Sequence, residues 1–131
     1  METRTVTTMK RVRLELARDH DHPNGSRAHG YDFIAPIGDD GHIIADDWKI
    51  VRDRCRVKRF WAGEPDAVGH IIRKPGGSWA FHYDIHSLGD GVDESGYRFD
   101  QHVFKLGEYV SIREHDGTLR TFKVMSVVDD E

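Results

Sequence analysis

Apolar and polar residues alternate along much of the chain, and this pattern predicts short β-strands with one buried face. Residues 12–16 alternate apolar with charged side chains, and residues 31–37 place an aromatic or aliphatic side chain at every second position. Successive side chains of a strand point to opposite faces, so each run would bury one face. Pro36 cannot donate a ladder hydrogen bond, so we place it at a sheet edge or at the end of its strand.

The stretch 55–83 (CRVKRFWAGEPDAVGHIIRKPGGSWAFHY) predicts three further strands joined by two tight turns. The strands are expected at 56–61, 68–73 and 79–83, where β-branched and aromatic residues are frequent. The turns are expected at GEPD and PGGS, because proline fixes φ and glycine tolerates positive φ.

One segment has the period of an amphipathic helix. Its apolar residues stand four, three and four positions apart, on one face of a 3.6-residue period: Ile44, Trp48, Val51 and Cys55. We expect the helix at 46–54. Arginines on both sides of Cys55 suit a nucleophilic thiol, but its place on the apolar stripe favours packing in the core.

The C-terminal third of the chain predicts an acidic loop followed by three strands. Residues 84–96 are rich in glycine and acidic residues and form the expected loop. Alternation resumes at 97–101, and two further strands are expected at 109–114 and 119–127.

The turn and the apolar residues of the last hairpin favour different registers. A two-residue turn at 116–117 would place Ile112 opposite Thr121. A one-residue shift pairs Ile112 with Phe122 instead, so that an apolar residue meets an apolar one. We predict this second register, which buries one apolar set together: Val110, Ile112, Phe122 and Val124.

The predicted register has two further consequences. The turn must hold an extra residue, so Gly117 is expected at positive φ in a wider loop or beside a bulge. Glu114 and Arg120 are expected to face each other on the exposed side of the hairpin.

The predicted elements are about eight short strands and one helix, without a regular βαβ alternation. The fold class is therefore mostly β (α+β), an antiparallel small barrel or open roll. An antiparallel sheet with the helix packed over one face is the alternative. The 131 residues suit a single domain, and we expect its ends, 1–8 and 128–131, to be frayed.

Composition indicates a globular protein of the cytoplasm. Hydrophobic residues make up 37% and charged residues 32% of the chain. No apolar run approaches the ~20 residues of a membrane span, and the first residues do not resemble a signal peptide. The single cysteine excludes an internal disulfide and suits a reducing compartment.

Positive charge is concentrated in one segment of an acidic chain. The net charge is −4, yet residues 52–74 carry seven Lys/Arg against three Asp/Glu. We predict a basic partner-binding surface that includes an exposed aromatic residue: Arg56, Lys58, Arg59, Trp61, Arg73 and Lys74. Basic and aromatic side chains together are typical of single-strand nucleic-acid binding, but the acidic net charge favours a protein or peptide partner. A solvated surface of mixed charge is the alternative.

Nine histidines raise the question of a metal site. His82, Asp84 and His86 would share one face of an extended strand, and imidazole with carboxylate suits zinc or another divalent transition metal. This set predicts a metal-binding protein or a metal-dependent enzyme. Ordinary surface histidines are the alternative, because the segment has no HExxH or cysteine-rich spacing. Apart from this set, the sequence predicts no cofactor.

Three segments resemble a family of small bacterial proteins to which no activity is assigned. They read RVKRFWAG, GHIIRKPGGSWAFHYD and GYRFDQHVFKLGEYVSIREHDGTLRTFKV, and the resemblance covers residues 9–127. It implies a bacterial, cytosolic setting and transfers no catalytic residue. The sequence as a whole favours a non-enzymatic binding or adaptor module over an enzyme.

Overall fold

The computed structural model describes residues 6, 8–84, 93–96, 103–114 and 116–130, with the backbone alone for 93–96. Eight strands are present: β1 (Met9–Leu16), β2 (Ser26–Pro36), β3 (Arg56–Trp61), β4 (Glu64–Arg73), β5 (Trp79–Tyr83), β6 (Asp93–Gly96), β7 (Tyr109–Arg113) and β8 (Leu119–Asp129). The helix α1 (Ala45–Val51) connects β2 to β3 and ends in a 3-10 turn, Arg52–Arg54.

The strands form a closed antiparallel barrel. Each strand pairs with the next in chain order, and β8 pairs back onto β1 through contacts from Lys10↔Asp129 to Leu16↔Phe122. The prediction of a mostly β, antiparallel fold with one short helix is confirmed. The pairing of β1 with β8 makes the sheet a barrel rather than an open roll.

Alternation along each strand separates the barrel interior from its outer surface. In β1, Val12, Leu14 and Leu16 are buried while the intervening side chains are exposed or half-buried. The aromatic rings of facing strands meet inside, with Tyr31 and Phe81 centroids 5.2 Å apart. The largest interior side chains are Tyr31, Tyr83, Phe33, Phe81, Phe104 and Phe122.

Helix α1 packs at the end of the barrel where β2 ends and β3 begins. Three residues of its predicted apolar stripe, Trp48, Val51 and Cys55, lie in the core, whereas the fourth, Ile44, is half-buried. The Trp48 Nε1–H donates to the Ile71 carbonyl at 3.0 Å, and the Trp48 ring contacts that of Trp79 edge to face. The predicted span of 46–54 divides into α-helix and a 3-10 turn.

Several element boundaries differ from prediction, and β2 begins at Ser26, five residues before the predicted run at 31–37. Glu64 already pairs with Trp61, so the hairpin turn is shorter than GEPD and β4 begins there. The predicted acidic loop contains β6, which pairs with β5 and β7. β8 continues to Asp129, opposite Lys10, in a segment expected to be frayed. The strand predicted at 97–101 lies outside the described residues.

The last hairpin buries the predicted apolar set in a different register. Val110, Ile112, Phe122 and Val124 are all buried, and Gly117 has a φ of 85°. The backbone ladder, however, pairs Val110 with Phe122 and Ile112 with Arg120. The pairing predicted from apolar matching is therefore wrong. The observed register nevertheless buries the same faces of the two strands, because these residues meet side chains of other strands inside the barrel.

The described helices are too short and too polar for a membrane-spanning segment.

Candidate binding surface

The predicted basic surface is divided between the two faces of β3. Arg56 and Lys58 point outward, with 44% and 48% of their side chains exposed. Arg59 points into the barrel and is only 4% exposed. Trp61 follows Arg59 on the inner face and is half-buried. The outer surface therefore contains only part of the predicted set.

Arg59 is a correction to the predicted surface, since its charge is compensated inside the barrel. Its Nε donates to Glu114 Oε2 at 3.2 Å, and its NH1 donates to Glu64 Oε1 at 3.2 Å. Its guanidinium lies 4.2 Å from the centre of the Trp61 ring. An arginine that contacts two carboxylates and an aromatic ring is stable away from bulk water. The number of basic residues in the segment therefore did not show that Arg59 is buried.

Arg56 and Lys58 flank a shallow hollow on the outer face of β1 to β4. The hollow has a volume of about 190 Å³, and its lining includes Arg11 from β1, Ile34 from β2 and Val68 from β4. Val68 is exposed and Ile34 half-buried. Three cationic side chains from two separate strands thus surround a small apolar floor, and Asp32 of β2 also lines the hollow.

Each cation around the hollow has an acidic neighbour. Arg11 lies 3.1 Å from Asp130, Arg56 3.3 Å from Asp84, and Lys58 3.8 Å from Asp32. Exposed ion pairs of this kind contribute only about 0–1 kcal/mol each. A carboxylate from a partner would therefore replace them at small cost.

Arg73 and Lys74 do not line this hollow. Both stand at the β4–β5 turn, where the Arg73 guanidinium lies 5.2 Å from the centre of the Trp79 ring. Lys74 is half-buried, and its backbone N–H donates to the Ser78 carbonyl at 2.8 Å. Their part in partner binding remains a prediction.

The predicted metal set is described only in part, because His86 lies outside the described residues. His82 stands opposite His70 in the pairing of β4 with β5. Asp84 Oδ2 accepts from Arg56 NH2 at 3.3 Å, and its Oδ1 lies 3.7 Å from His70 Nδ1. Within the described ranges, no group of three potential ligands converges on a point. The metal site stays a prediction.

A second cluster of polar side chains, which the sequence did not reveal, lies at the barrel end opposite α1. We call it the polar barrel end: Asp19, His22, His29, Tyr31, Arg59, Trp61, Glu114 and Arg120. At its centre, the Glu114 carboxylate is 1% exposed and accepts from the Tyr31 hydroxyl at 2.5 Å. Arg120 Nε approaches Glu114 Oε1 to 2.8 Å. The predicted exposure of Glu114 with Arg120 is therefore wrong.

Strand parity was the signal for this cluster. Arg59 shares its strand face with Val57, and Glu114 continues the face of Val110 and Ile112. Both positions were predictable as inward-facing from the period of two alone. The sequence does not show that these two charges, 55 positions apart, meet each other.

Two histidines, His22 and His29, lie together at the outer rim of the polar barrel end. His29 Nδ1 lies 2.6 Å from Ser26 Oγ, and the His29 ring meets the Trp61 ring edge to face. Desolvation, followed by the positive charges of His22, Arg59 and Arg120, lowers the pKa of His29, with Asp19 acting in the opposite direction. Burial opposes ionisation of Asp19, but hydrogen bonds from the His22 backbone and ring outweigh it and lower the pKa of Asp19.

The lowered pKa of His29 predicts a stability change in mild acid. Its folded pKa lies below the ordinary 6.5, so the unfolded chain takes up the proton first and stability falls as pH drops below about 6.5. We expect His29→Gln to reduce this fall between pH 7 and pH 5, measured by urea unfolding. His20→Gln, in the neighbouring loop, is the matched control. An unchanged pH slope in His29→Gln would contradict the assignment.

Cys55 is unsuited to nucleophilic chemistry. It is fully buried, its Sγ lies 3.4 Å from the Val51 carbonyl oxygen, and desolvation raises its pKa to about 12. The thiolate that a nucleophile requires is therefore almost absent at neutral pH.

Comparison of the chain with protein-family models, with curated proteins and with solved structures gave no significant match. The family resemblance seen in the sequence therefore remains a prediction.

Proposed function

We propose that this protein is a non-enzymatic binding or adaptor module whose outer β1–β4 face contacts an acidic segment of a protein partner. The observation that carries the proposal is the hollow between Arg11, Arg56 and Lys58, with Ile34 and Val68 at its base. Apolar contact in the centre and charge at the rim is the usual anatomy of a protein interface. A cytosolic setting belongs to the same proposal.

The charge of the chain favours a protein partner over nucleic acid. Nucleic-acid affinity rests on many phosphate contacts made by a strongly basic surface. Here the net charge is −4, and each cation of the hollow already has a carboxylate neighbour. A short acidic protein segment needs only two or three such cations and also uses the apolar floor.

Charge reversal at the hollow tests the proposal. We expect Arg11→Glu, Arg56→Glu and Lys58→Glu together to abolish capture of partner proteins from nuclease-treated lysate, quantified by mass spectrometry. The melting temperature should change little, since exposed substitutions usually alter stability by about 0.5 kcal/mol or less. Arg59 is left unchanged because it is buried.

The control carries the same reversal of charge elsewhere. Lys49, Arg52 and Arg54 are exposed on α1 and the 3-10 turn that follows it, and their triple change to Glu should leave capture intact. Equal loss in both variants would show that net charge, and not the hollow, governs binding. Full capture by the hollow variant would refute the proposed surface.

A further inference from the structure

A larger groove lies on the other side of β1, between the β1–β2 connection and strands β7 and β8. Its volume is about 790 Å³, within the ~300–1,000 Å³ range of sites that bind small molecules. One wall is formed by residues 15–18 and 24–27, and the other by Tyr109, Thr121, Lys123 and Met125. None of these residues belongs to the hollow of the proposed function.

Three cations of this groove have no acidic partner among the residues that the structure describes. Arg18, Arg27 and Lys123 line the groove and are exposed, and their side chains make no ion pair or hydrogen bond there. The one carboxylate in the lining, Glu15, stands opposite Lys123 in the pairing of β1 with β8, but it is bound by Arg13 Nε at 2.8 Å. The groove is therefore locally positive within a chain of net charge −4.

Two large apolar side chains lie on the same side of the barrel. Tyr109 is 56% exposed and Met125 is 42% exposed, because both occupy outward positions of β7 and β8. Tyr109 stands directly opposite Lys123 in the ladder. Methionine adapts its shape to different partners, and tyrosine offers a broad rigid surface with a polar tip.

We propose that this groove binds an extended acidic peptide segment, with its carboxylates on Arg18, Arg27 and Lys123 and an apolar side chain on Tyr109 and Met125. Charge complementarity selects the acidic segment, since these three exposed cations make no ion pair with any described residue. A nucleic-acid strand is disfavoured because its affinity depends on more phosphate contacts than three cations provide. The closed barrel favours recognition through side chains, because its strands pair in a continuous ring.

Fluorescence anisotropy with a defined probe tests this inference. The probe is a labelled ten-residue peptide with five Glu, one Leu and one Phe separated by Gly, and its counterpart carries Lys in place of every Glu. We expect the acidic peptide to bind and the basic one not to bind. The triple variant Arg18→Glu, Arg27→Glu and Lys123→Glu should weaken binding by about tenfold or more, since three attractive charge contacts become repulsive.

The apolar contact has its own variant. Tyr109→Ser with Met125→Ser leaves all three cations in place and should weaken binding of the acidic peptide by about tenfold or more, because the apolar side chain of the peptide then loses its contacts. Circular dichroism and the melting temperature confirm that each variant is folded. The helix triple at Lys49, Arg52 and Arg54 should bind the peptide as the wild type does.

The outcomes separate this groove from the hollow. If the hollow variant loses the peptide and the groove variants keep it, the groove inference is wrong and the proposed function stands. If the groove variants lose the peptide and the hollow variant keeps it, the groove is a distinct site. Absence of peptide binding, or tighter binding of a labelled dT15 oligonucleotide, would overturn the inference.

Discussion

Replacing Glu114 by Gln is expected to lower the free energy of unfolding by about 3–5 kcal/mol, the usual loss when one partner of a buried ion pair is removed. The Glu114 carboxylate is 1% exposed and contacts both Arg59 and Arg120. Glutamine preserves the shape of the side chain but removes its charge. Arg59, itself 4% exposed, would then remain inside the barrel with its main counter-charge gone. Urea unfolding of the wild type and the variant measures the difference.

A matched substitution separates the buried carboxylate from an exposed one. Glu64 also contacts Arg59, at 3.2 Å, but its side chain is 47% exposed. Glu64→Gln should therefore cost about 1 kcal/mol or less, as exposed ion pairs do. Equal losses of unfolding free energy in the two variants would show that the buried Glu114 contributes no more to stability than the exposed Glu64.

A double variant tests whether the pair acts as a unit. Arg59→Met combined with Glu114→Leu removes both charges, and apolar replacement of a whole buried ion pair is often close to neutral. The double variant should therefore lose less stability than the sum of the two single variants. Simple additivity would indicate that the two residues are energetically independent.

Replacing Phe81 by Ala is expected to lower the free energy of unfolding by about 3–5 kcal/mol, the range for a fully buried phenylalanine. Phe81 is 1% exposed and lies between the rings of Tyr31 and Phe33, with centroid distances of 5.2 and 5.8 Å. Two aromatic rings of β2 thus pack against this one side chain. The closed sheet cannot collapse easily into the cavity, so the cost should fall at the upper end of the range.

Phe60 is the matched control for Phe81. It is half-buried on the outer side of β3, where the Arg13 guanidinium lies 4.3 Å from its ring centre. Phe60→Ala should cost about half as much as Phe81→Ala or less, because less apolar surface leaves the core. A larger loss at Phe60 would contradict the assignment of the two faces of the barrel wall.

Much of the secondary structure could be predicted because it depends on neighbouring residues. The period of two identified β1 and β7, and the period of 3.6 identified α1 with its buried Trp48. The same period of two also predicts that Arg59 points inward, but the number of basic residues around it suggested a position on the surface. Strand parity was the stronger signal, since an arginine can be buried once its charge and donors are satisfied.

The candidate surfaces were less predictable because they combine residues from distant parts of the chain. Arg56 and Lys58 belonged to the predicted surface, but Arg11 joins them only through the pairing of β1, β2 and β3. The groove likewise needs β1 beside β8, which brings Arg18 close to Lys123. Local pattern carries no information about which strands become neighbours.

Local alternation thus determined most of the strands and which of their faces are apolar, since both follow from the geometry of a single strand. The short β6, which lies in the predicted acidic loop, was not determined in this way. The closure of the barrel, the register of the last hairpin and the meeting of Glu114 with Arg59 and Arg120 were decided by the tertiary structure. Val110 pairs with Phe122 and not with Val124, because the inward side chains find their apolar neighbours across the barrel. Such contacts join residues far apart in the chain, and their energy depends on the shape of the whole interior.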